Sequence, residues 1–126
     1  MDIQWFSRKI EGTATIYETN ITLNKTASRY FINTYAVLIG FDKDNKNIVI
    51  KALNIEEASL HKYNGLTLYK VSIKPTYGRI NSKQLVTNIQ KYYNFDFSEI
   101  KMYKFACSWN QEQKFLTIYL DKEVQG

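Results

Sequence analysis

Short runs in which β-branched and apolar residues alternate with polar ones recur along this chain, and a two-residue period of that kind belongs to strands with one buried face. Residues 13–17 and 19–23 alternate in this way on either side of a bend at Glu18. Residues 35–41 and 48–53 are stronger runs separated by Asp42-Lys43-Asp44-Asn45-Lys46-Asn47, a cluster of turn formers, and so predict a β-hairpin. Residues 66–74 read as a further strand and residues 75–78 as a turn or bulge. Residues 100–107 and 115–120 then form a second hairpin across residues 108–114. Only one proline, Pro75, occurs in 126 residues, so no Pro-rich linker divides the chain, and 44% hydrophobic residues suffice for one core.

Helical signals are fewer. Asn24 predicts the cap of a short helix over residues 25–32, burying Ala27, Tyr30 and Phe31. Asn54-Ile55-Glu56-Glu57 has the spacing of a capping box and opens a connecting helix that runs to about Tyr63, with Gly65 ending it. Ser82 caps the clearest helix, in which Leu85, Val86, Ile89, Tyr92 and Tyr93 share one face. The expected class is therefore α+β: one β-rich domain built from two related strand–helix–hairpin halves. Residues 13–53 form the first half and residues 66–121 the second, with residues 54–65 as connector.

Several function classes find no support. No apolar run approaches the roughly 20 residues of a membrane span, and Met1-Asp2-Ile3-Gln4-Trp5-Phe6 lacks the basic and apolar regions of a leader, so a cytoplasmic protein is expected. Cys107 is the only cysteine and His61 the only histidine, which leaves no disulfide framework and no zinc-ligand set. Asp42-Lys43-Asp44-Asn45 resembles the start of a calcium loop but lacks the glycine and terminal glutamate at the required spacing. Nothing joins Cys107 and His61 into a nucleophile pair, and there is no glycine-rich phosphate loop. The chain reads as a non-enzyme without cofactor or metal.

Charge points elsewhere. Seventeen Lys and Arg against twelve Asp and Glu give a net charge of +5. Between Ala58 and Phe95 there is no acidic residue, while Lys62, Lys70, Lys74, Arg79, Lys83 and Lys91 all lie there. Such a window can set a positive face against phosphates, or it can be solvated surface whose acidic mates lie across the fold. Arg79 suits a bidentate contact to a guanine edge or a phosphate; Lys70, Lys74, Lys83 and Lys91 suit the backbone. Lys25 with Arg29, and Arg8 with Lys9, would extend the patch. Ten tyrosines, among them Tyr63, Tyr69, Tyr77, Tyr92 and Tyr103 in or near the window, also admit base stacking on single strands, although their spacing suits the core better.

Gly78-Arg79-Ile80-Asn81-Ser82-Lys83-Gln84-Leu85 resembles the G-R-I-x-x-P-x-x-L start of the AbrB/SpoVT-like swapped-hairpin domains, with Ser82 in place of the family's proline. Ile21-Thr22-Leu23-Asn24-Lys25-Thr26-Ala27 looks like a weaker copy, and the tandem is similar to the MraZ arrangement. The resemblance implies a DNA-binding transcriptional regulator, with Arg79 on the motif's arginine. The expectation is thus a small duplex-DNA-binding protein that pairs strands with a second copy as a homodimer. The rival is a protein-interaction module that binds a partner through a sheet edge or an aromatic patch at Trp5, Phe6 or Trp109.

Overall fold

The alternating runs become eight strands in a single antiparallel sheet: β1 (Gly12–Tyr17), β2 (Asn20–Asn24), β3 (Ala36–Asp42), β4 (Asn47–Leu53), β5 (Ser72–Ile73), β6 (Tyr77–Asn81), β7 (Met102–Asn110) and β8 (Phe115–Glu123). The structure, a computed structural model, describes residues 1–5 and 11–124. Across the sheet the order is β3-β4-β8-β7-β1-β2-β6-β5, and the sheet curls into a half-barrel. One stretch of chain reaches both edges: Tyr69 bridges Val37 on β3, and Ser72 and Ile73 pair with Arg79 and Gly78 on β6. The class is α+β and rich in strand, as the alternation implied.

Alternate residues of the strands fill the concave side. Ala14, Ile16, Ile21, Leu23, Ile48, Ile50, Ile80, Phe105, Leu116 and Ile118 are all at most 1% exposed and form one cluster with Phe31, Val86 and Phe95. Their polar neighbours in sequence point outward, which is why the pattern could be read at all. Helix α1 (Lys25–Ser28), continued by a 3-10 turn at Arg29–Phe31, packs at one end of β1, β2 and β6. It comes so close that a β-carbon added at Gly78 would lie 2.9 Å from Ser28 Cβ. Helix α3 (Lys83–Ile89) leaves the other end of β6 and buries Leu85, Val86 and Ile89.

All three caps form: Asn24 Oδ1 accepts from Ala27 N at 3.0 Å, Ser82 Oγ from Leu85 N at 3.1 Å, and Asn54 and Glu57 bond reciprocally at 2.8 and 3.0 Å. The two long hairpins turn with the same chemistry. Asp42 accepts from the backbone of Asp44 and Asn45, and Asn110 accepts from that of Gln113. Lys46 and Lys114, each just before the returning strand, have φ of 55° and 56°.

Four local expectations are corrected. Tyr30 is 42% exposed rather than buried: α1 ends at Ser28, the chain tightens into a 3-10 turn, and the Tyr30 ring stacks on Trp109 at 4.8 Å instead of entering the core. The connecting helix breaks at Leu60 into α2 (Ile55–Ala58) and a 3-10 turn at His61–Tyr63, neither with a fully buried residue to hold a longer helix. The strand expected over residues 66–74 shrinks to the Tyr69 bridge and β5, since no single neighbour runs alongside the whole segment. Tyr77 and Gly78 belong to β6 rather than a turn, because β2 pairs with them as Asn24↔Tyr77 and Leu23↔Gly78.

Candidate nucleic-acid interface

Parity along β6 places Gly78 and Ile80 inward, so Tyr77, Arg79 and Asn81 emerge on the convex side. There the strands β7, β1, β2 and β6 lie in continuous register. One row runs Lys104–Thr15–Thr22–Arg79–Ser72; to its sides Thr13 pairs with Ala106 and Asn24 with Tyr77, and Tyr17 pairs with Met102 and Asn20 with Asn81. None of these four strands contains an Asp or Glu, although β8 on the far side of β7 carries Asp121 and Glu123. The face is therefore one of hydroxyls, amides and cations.

Arg79 is positioned within it. Its Nε donates to Thr22 Oγ1 at 3.0 Å, and Thr22 donates on to Asn20 Oδ1 at 2.7 Å. The guanidinium lies 4.9 Å from the centre of the Tyr77 ring. A hydrogen bond on Nε and a ring beneath fix the plane of the group, and its outer fork is the part suited to a planar or phosphate acceptor.

The other basic residues divide. Arg29 and Lys74 meet at the β5–β6 turn, where Arg29 Nη2 donates to the Lys74 carbonyl at 3.0 Å and also to the Pro75 carbonyl. The buried Nε of Arg29 has no hydrogen-bond partner. Arg29 thus anchors the turn that carries the exposed Lys74 side chain. Lys25 follows Asn24, which pairs with Tyr77, so Lys25, Arg29 and Lys74 gather around one end of the β2–β6 ladder, while Arg79 stands at its middle opposite Thr22. Lys83 is exposed at the opposite end of β6, and Lys91 is exposed just past α3. Lys70 is directed to Tyr35, its Nζ 2.6 Å from the carbonyl and 3.4 Å from the ring centre. Arg8, Lys9 and Phe6 lie outside the described residues, while Trp5 is 78% exposed and Trp109 stacks on Tyr30 at 4.8 Å.

Sequence reading found Arg79 but missed Thr22, Thr15 and Lys104. Their outward parity was visible in the alternation of each strand, yet the pairing that sets them beside Arg79 joins residues far apart in the chain. Beside the Arg29 corner a cleft of about 310 Å³ opens between Tyr30, Glu57, Trp109 and Lys114. Cys107 faces Gly12, and burial pushes its thiol up to about 12, so it holds its proton at neutral pH. Among the described residues no group of three His, Cys, Asp or Glu side chains could hold a metal, and no helix is long and apolar enough to cross a membrane. Compared with known proteins, the chain matches no family, no curated protein and no solved structure.

Proposed function

We propose that this protein binds duplex DNA through the convex face of β6, β2, β1 and β7, as a small transcriptional regulator. The observation that carries the reading is Arg79 held on four adjoining strands that contain no Asp or Glu: Thr, Asn, Tyr and Arg donors are groups that meet phosphates and sugars. Arg79 is the base or phosphate reader of the face, and Lys25 and Lys74 hold the backbone beside it.

Two related halves underlie this surface in the same proposal, as in the AbrB/SpoVT-like domains that the Gly78–Leu85 segment resembles. Each half contributes two strands, a capped helix and a hairpin. Exchanging β1–β4 with β5–β8 leaves the order around the curled sheet unchanged once Tyr69 links β5's segment to β3. The matching turns at Asp42–Lys46 and Asn110–Lys114 support the same correspondence.

The test is fluorescence anisotropy with a labelled mixed-sequence duplex across a salt series, for wild type, Arg79→Ala and Lys74→Ala. Affinity falls with a log–log salt slope of several units; Lys74→Ala lowers that slope by about one, and Arg79→Ala weakens binding about tenfold or more. Absence of binding at low salt overturns the reading. The second reading, a protein-interaction module, draws on the stretch from Ile55 to Leu68, which exposes Ile55, Leu60, Leu66 and Leu68.

A further inference from the structure

Most strands in this sheet have a neighbour on both sides, but β3 ends it with an edge that is only begun. Val37 exchanges both of its backbone bonds with Tyr69, at 2.9 and 3.0 Å. Because N–H and C=O groups alternate in direction along a strand, those of Ile39 and Phe41 face the same free side, while Leu38 and Gly40 turn toward β4. Among the described residues no strand continues the Tyr69 pairing past Val37. Directly beside this open edge lies a cleft of about 210 Å³ walled by Ile39, Phe41, Tyr69, Leu85, Ile89 and Tyr92. By contrast β7 is paired with β1 over the whole of Gly12–Tyr17.

The chain's own segment leading to Tyr69 is the wrong strand for this slot. Extending the Tyr69↔Val37 ladder would set Thr67 opposite Ile39 and Gly65 opposite Phe41, placing a hydroxyl and a bare backbone over an apolar cleft. Leu66 and Leu68 would point to solvent, since a strand's parity is fixed once one pair is set. Gly65 instead turns the chain away at φ 84°.

The parity the slot requires occurs in Met1-Asp2-Ile3-Gln4-Trp5. Met1, Ile3 and Trp5 alternate with Asp2 and Gln4, and in the structure these three apolar side chains are exposed by 111%, 50% and 78%. We propose that residues 1–5 of a second copy add as a strand to the free edge of β3, with Ile3 and its alternates in the cleft and Asp2 and Gln4 toward water. A second copy is specified because in their own chain residues 1–5 stand exposed and none of them lines the cleft. Reciprocal donation between two copies closes the assembly as a dimer.

The test uses the full chain with Trp109→Phe, so that Trp5 is the only tryptophan, and measures mass by sedimentation equilibrium alongside Trp5 emission over a wide concentration range. The expected result is a dimer whose formation shifts Trp5 emission to the blue. Ile3→Asp, at an exposed residue, and Asn88→Phe, which fills the cleft from α3, each weaken the dimer at least about tenfold without changing the circular dichroism. A monomer at every concentration, a blue shift independent of concentration, or a dimer indifferent to Ile3→Asp overturns the proposal.

Discussion

Arg79 shows how a single side chain acquires a role from neighbours distant in sequence. Thr22 and Tyr77 hold its guanidinium among strands that contain no Asp or Glu, by a hydrogen bond and a ring rather than by an ion pair. Gly78 beside it has the opposite constraint. An alanine there meets the β-carbon of Ser28 in α1 at 2.9 Å, and both partners are backbone-borne, so Gly78→Ala lowers stability by about 1–3 kcal/mol, read as a fall in the urea midpoint. Cys107 gives a pH-dependent signature. Its thiol ionises at 9.0 in the unfolded chain but is held up to about 12 by burial in the folded one. The folded state therefore binds the extra proton between those values, and stability falls as pH rises through that interval. Cys107→Ala removes this contribution, so the stability gap between wild type and variant narrows as urea titrations move above pH 9.0.

At the scale of elements, the caps do unequal work. Asn24 accepts from Ala27 N at 3.0 Å and from Thr13 N at 3.1 Å, and donates to the Glu11 carbonyl at 2.8 Å, so it joins α1 to the start of β1. Ser82 makes the one cap bond to Leu85. Asn24→Ala is expected to cost about 2–3 kcal/mol and Ser82→Ala about 1 kcal/mol, measured by equilibrium urea unfolding. The elements that formed as the sequence predicted are those with strong local chemistry: the capped starts at Asn24, Asn54 and Ser82, and the 42–47 turn. Those that departed from expectation, Tyr30 and residues 66–74, depended on which neighbour arrived beside them.

At the scale of the molecule, curling one sheet around its own core gives a convex polar face and leaves one edge unfinished. Amide exchange reads this directly. In the Ile3→Asp variant, which is held as a monomer, the amides of Ile39 and Phe41, which face the free edge, are expected to exchange faster than those of Leu38 and Gly40, which face β4. The amides of Ala14, Ile16, Ile21 and Leu23, on strands paired on both sides, are expected to be among the slowest, as seen by NMR in deuterated solvent. The same curvature spreads the basic window: Lys70 ends at Tyr35 and Lys83 at the far end of β6 from Lys74.

The alternation in 13–23, 35–53 and 100–120 determined strand class and which residues face inward, because side-chain direction has a two-residue period whatever the strand pairs with. Cap chemistry determined where helices begin, because those bonds span only three residues. Arg79 was legible as a candidate because its charge stands in an acid-free stretch. Only the tertiary structure decided that Thr22, Thr15 and Lys104 share its row, that Arg29 anchors the Lys74 turn, and that β3 keeps a free edge. Each of those facts is a choice of strand partner or of contact across the fold. Such choices are set by how the whole apolar surface closes on itself rather than by any local run of residues.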